Sequence, residues 1–289
     1  MMRKVSVIAR HEFALLLRSR GFRLGLLLPT VLVVAVMLYF GSRVPPEAMQ
    51  AAKQAAAQHG MDNPIGLGAA YLFVLLMFIG ILTLSQYLLT NLIEEKSSRV
   101  VEVLLSAVSP LELMAGKILG LCAAGLAGIG ACVAIIASVA KLQGFIGAVN
   151  PWAFGLFIVY YVLGILLISS MYAAVGSACN SLREAQGLMV PMALLFVVPL
   201  AAWMQIAQHP EGLFATLLSF LPPLTPMVMI LRLAASRAVP AWQVVLSLAV
   251  LAAAVPVTMW AAAKVFRTGV LMYGKPPKLR EMFRWMRYR

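Results

Sequence analysis

The sequence predicts an all-α integral membrane protein with six transmembrane helices, and three observations carry that prediction. Of its 289 residues 62% are hydrophobic and the mean hydropathy is +0.93, whereas a soluble domain is nearer one-half apolar. Only 11% of residues are charged, yet the formal net charge is +13, which places the basic excess in segments that flank a membrane and face anionic lipid. The apolar residues fall in runs long enough to cross roughly 30 Å of hydrocarbon, separated by short charged or Pro-containing breaks.

Residues 1–23 place Val5, Ala9, Phe13, Leu16 and Leu17 on one helical face and Lys4, Arg10, His11 and Arg18 on the other. That pattern suits a basic amphipathic helix on the cytoplasmic membrane surface; a simple topogenic basic tail fits equally well, and both put the N-terminus inside. No A-x-A-like cleavage site precedes Arg43, so the first apolar run is read as an uncleaved span over 24–40. A short polar loop with Pro45-Pro46 follows, and Asn63-Pro64 supplies a cap and first helical residue for span two over 65–91.

Residues 91–120, NLIEEKSSRVVEVLLSAVSPLELMAGKILG, form the charged interruption that divides the apolar first half of the chain. Within 92–112, Val101, Leu104, Leu105 and Val108 recur at i, i+3, i+4 and i+7, which sets them on one face. Glu94, Glu95, Lys96, Arg99 and Glu102 are assigned to water, so this is an amphipathic cytoplasmic helix. It ends where Ser109-Pro110-Leu111-Glu112 offers Ser as N-cap, Pro at the first helical position and Glu three residues after the Ser.

Span three covers 113–140 and span four 151–179. Ser181 and Glu184 form a second capping box, which starts span five over 182–206. Between 209 and 240 two apolar stretches, 213–221 and 227–235, are too short to span and are parted by Pro222-Pro223. They are read as re-entrant or interfacial half-helices on the extracellular side. Span six covers 241–263, and in the basic tail 264–289 Leu279, Met282, Phe283 and Met286 oppose Lys278, Arg280, Arg284 and Arg287 as a second surface helix. With this topology eighteen Lys and Arg residues lie on the side of both termini against five on the other, which assigns the termini to the cytoplasm and the protein to the cell (inner) membrane.

The chemistry within this frame is sparse. Cys122, Cys132 and Cys179 all sit in apolar runs and read as small hydrophobes. The basic residues flank apolar runs instead of forming a stripe, which argues against nucleic acid. No Asp or Glu falls in the middle of a span, where an ion-coupled carrier would place one. The nearest string to a phosphate-cradling loop, LELMAGKI at 111–118, lacks the first glycine and the hydroxyl residue, so no ATP, metal or other cofactor is assigned to this chain. Gly176-Ser177-Ala178-Cys179 is read as small residues for close helix packing, and the polar span residues as interhelical hydrogen bonders. Gln86 and Gln205 alone are taken as pathway-lining candidates.

The string EEKSSRVVEVLLSAVSPLELMAGKILG resembles the segment between the second and third spans of type-2 ABC exporter permeases. SLREAQGLMVPMAL, FLPPLTPMVMILRLA and GVLMYGKPPKLREMFRWMR resemble later parts of the same family. The resemblance implies that the 92–112 segment is a coupling helix on which a separate ATPase subunit docks through Glu94, Glu95, Lys96, Arg99 and Glu102. It also implies ATP and Mg on that partner, and a second permease chain completing the conduit. Sodium-efflux permeases of the family carry a larger extracellular domain after span one, which this chain lacks. A non-transporting assembly or regulatory subunit, and a stand-alone carrier, remain open beside the exporter reading, and the substrate is not selected.

Overall fold

The computed structural model describes residues 2–43, 50, 64–98, 100–142, 151–235 and 239–269, and these contain helices and no strand. In chain order they are α1 (Met2–Arg18), α2 (Arg20–Arg43), α3 (Pro64–Ser97), α4 (Val100–Ala107), α5 (Pro110–Leu142), α6 (Pro151–Ala178), α7 (Leu182–Ala201), α8 (Trp203–Gln208), α9 (Leu213–Ser219), α10 (Thr225–Ala235) and α11 (Ala241–Gly269). Pro64, Pro110 and Pro151 each open a helix, at the position where a missing N–H costs nothing. Residues 44–49, 51–63 and Arg99, and the tail from 270 with its expected surface helix, lie outside the described residues.

Five helices, within α3, α5, α6, α7 and α11, are long and apolar enough to cross a membrane. The apolar window of α6 is 67% buried within the chain and that of α11 only 17%, so α6 is the centre of the bundle and α11 its rim. α3 and α11 pack most heavily on α6, α5 also touches it, and α1 lies along α5. Small residues let these backbones approach: a Cβ added to Gly176 of α6 would stand 3.1 Å from the Leu89 carbonyl of α3. The GSAC stretch therefore has the packing role its composition suggested. Ser85 of α3 and Ser169 of α6, both fully buried, share a hydrogen bond at 3.1 Å.

Helix ends do not coincide with the expected span ends throughout, and α11, for example, runs on to Gly269. α3 does not stop at Asn91 but runs on to Ser97, because the Glu94–Lys96 turn has helix-compatible residues and, as shown below, partners on both sides. α7 ends at Ala201, two residues after Pro199. Gln205 consequently sits on the separate short helix α8. The expected half-helices are present as α9 and α10, which with α8 form a cap on α3 and α6.

Candidate functional site

The charged residues converge at one end of the bundle, where α3 terminates, α4 crosses, and α5 begins. Two sharp turns build this junction. At the start of α5 the Ser109 N–H donates to Glu112 Oε2 at 3.0 Å while the Glu112 N–H donates to Ser109 Oγ at 3.3 Å, a reciprocal capping box. At the start of α7 the Glu184 N–H donates to Ser181 Oγ at 3.3 Å, and Glu184 Oε2 accepts from the Asn180 N–H at 3.0 Å.

α4 lies between the end of α3 and the first of these turns, with its apolar face inward. Val101 is buried, and Leu104, Leu105 and Val108 pack on the core, as their spacing predicts. Its outer face carries Glu102 together with Val100 and Val103, the last 71% exposed. Lys4 of α1 donates to the Ala107 carbonyl at 2.8 Å, placing a cation at the negative end of α4.

The adjacent residues Glu95 and Lys96, at the end of α3, point to different neighbours. Lys117 of α5 donates to Glu95 Oε1 at 2.7 Å and to Glu12 Oε1 of α1 at 2.5 Å, an ion triad with Lys117 and Glu12 almost fully enclosed. Lys96 is buried and donates to the Ser177 carbonyl of α6 at 3.2 Å. The last turn of α3 is thus bonded to α5, and through Lys117 to α1, on one side and to α6 on the other. A buried charge is tolerated when it is paired and hydrogen-bonded; Lys117 is both, and Lys96 is hydrogen-bonded to the Ser177 carbonyl.

Of the five residues assigned to partner contact, Glu94 and Glu102 are exposed, Glu95 and Lys96 are committed inside, and Arg99 lies outside the described residues. Sequence reasoning missed Glu12 altogether and counted Lys117 only as a flanking basic residue. The available signal was Gly116-x-x-x-Gly120 around Lys117. An added Cβ at Gly116 would lie 2.7 Å from Ile8 Cβ, and one at Gly120 would lie 2.7 Å from the Ala9 carbonyl and Glu12 Cβ, so α1 seats directly on that glycine face and not on lipid alone. Gln86 of α3 and Gln205 of α8 are both exposed, on separate elements. Among the described residues no group of three or more His, Cys, Asp or Glu could hold a metal.

A family model described as ABC-2 family transporter protein matches residues 47–264. The chain belongs to the ABC-2 transporter family. Membership makes it a membrane protein of the ABC transporter permease type. Among relatives, an uncharacterized protein, MJ1024, of Methanocaldococcus jannaschii is 30% identical over 201 residues, covering 70% of this chain and 49% of its own length. The uncharacterized protein YhaP of Bacillus subtilis is 26% identical over 223 residues, covering 72% and 52%. The chain spans about half the length of these curated relatives.

Proposed function

We propose that the chain is the permease subunit of an ATP-driven exporter, docking a separate ATPase, which carries ATP and Mg, through the outer face of α4. The observation that carries this reading is the two-sidedness of that helix. Val100, Glu102 and Val103 face outward, an apolar and acidic patch on a water-side element, while the inner face packs against α3 and α5 and the C-terminal carbonyl of Ala107 is bonded to Lys4 of α1. ATP-driven closure of paired ATPases displaces α4, and the Glu12–Lys117–Glu95 triad and the Lys96–Ser177 bond pass the displacement to the spans.

In this reading α2 is the sixth span. It has 24 residues, runs along α3 and α5, and contacts them through Gly25 against Thr83 and Thr30 Oγ1 donating to Cys132 Sγ at 2.8 Å. The junction end and both termini then face the cytoplasm of a cell whose inner membrane holds the protein, in keeping with the distribution of Lys and Arg. A second copy or similar chain completes the pathway, with Gln86 and Gln205 exposed toward it.

The test combines Glu94→Lys, Glu102→Lys and Val103→Asp, all on exposed positions. The variant inserts and folds, but loses co-purification with the ATPase and loses ATP-dependent efflux from vesicles. Retained co-purification overturns the docking assignment. Docking that stimulates ATPase without any flux identifies an assembly subunit instead.

A further inference from the structure

Arg232 of α10 heads the fully buried side chains by volume, with no exposed surface. Its five N–H groups all have partners within the protein. Nε donates to the Pro210 carbonyl at 2.6 Å, Nη1 to Ser219 Oγ at 2.7 Å and Met229 Sδ at 3.8 Å, and Nη2 to Thr216 Oγ1 at 3.3 Å and Gln243 Oε1 at 2.6 Å. No donor is left for a solute, so this is not an anion site.

The distribution of those partners is uneven. Pro210, Thr216, Ser219 and Met229 belong to the cap, and Gln243 alone lies on α11, in its first turn. The cap rests on α3 and α6, whereas α10 and α11 barely touch, and α11 packs instead on α6. One turn further along α11, Tyr160 of α6 shares a hydrogen bond with Ser247 at 2.7 Å. Tyr160 also donates at 3.5 Å to the Val244 carbonyl, so among the described residues the start of α11 is tied to the cap by one charge-assisted bond and to the core through Tyr160.

We propose that the Arg232–Gln243 bond is a releasable latch closing the cap end, and that the first turn of α11 swings off the cap about the Tyr160–Ser247 contact when the pathway opens to that side. The proposal rests on the transport reading above. Gln as the acceptor is what makes the tie releasable: a carboxylate in the same place forms an ion pair with a buried guanidinium, whose separation in a low-dielectric setting costs far more.

Leu221→Cys on the cap and Val245→Cys on α11, both exposed in the native chain, accept spin labels, and pulsed electron paramagnetic resonance reads their separation in the full chain in nanodiscs. At rest, Gln243→Ala gains a longer-distance population that the unmodified chain and the isosteric Gln243→Glu lack. With the ATPase and ATP present, the unmodified chain gains that population and Gln243→Glu does not. Identical distributions for all three at rest overturn the latch. A contrast between Ala and Glu at rest without any nucleotide response upholds the latch and counts against the transport reading.

Discussion

Replacing Lys117 by Met keeps most of its bulk and removes its charge, leaving the Glu12 and Glu95 carboxylates facing each other without a cation. Each already has one oxygen, Oε2, with no hydrogen-bond partner among the described residues, so neither has a spare donor there to fall back on. Removing one member of a buried pair costs about 3 kcal/mol or more, the lower figure applying because Glu95 keeps some access to water. Lys117→Met therefore lowers the thermal unfolding temperature of the purified protein markedly. Glu12→Gln, which leaves Lys117 paired with Glu95, costs about 1 kcal/mol, and adding Glu12→Gln to Lys117→Met restores part of the loss. Equal melting of Lys117→Met and the unmodified chain contradicts the triad.

At the scale of elements, the contact that turns an N-terminal surface helix into part of the junction is the seat of α1 on Gly116 and Gly120. Gly116→Leu drives a side chain into Ile8 at an overpacking cost of about 1–3 kcal/mol, and lifts α1. The expected result is faster tryptic cleavage at the exposed Arg10 and Arg18, with Gly116→Ala intermediate; unchanged cleavage contradicts the docking. These elements also mark the limits of sequence reading. The inner face of α4 and the Ser109–Glu112 cap were legible because both are set by spacing within a few residues. Glu12 and Lys117 are 105 positions apart, and Lys96 and Ser177 are 81 apart, so periodicity assigned Glu95 and Lys96 to water when tertiary partners had claimed them. Hydropathy draws span two to Asn91 because it marks where lipid stops, whereas the helix, with its bonded neighbours, continues past that point to Ser97.

For the whole molecule, α6 is the fixed centre, and the two ends of the bundle are bonded differently. The junction end spreads its charges over α1, α3, α5 and α6, which suits an end that transmits a push from outside. The opposite end gathers one buried cation within the cap and, among the described residues, that cation reaches α11 through the Gln243 acceptor alone, which suits an end that opens. The large apolar surface left on α7 and α11, including Val190, Leu194, Val197, Val245 and Val257, is what a bundle embedded in lipid leaves uncovered. The claim on which this account turns is that the outward face of α4 is gripped by a separate motor. A photoreactive residue incorporated at Val103 in cells tests it most directly: the account predicts a cross-linked product containing an ABC ATPase, its yield changing when nucleotide is depleted. Cross-links to lipid alone, or labelling of the same position by a membrane-impermeant reagent added outside the cell, would contradict it.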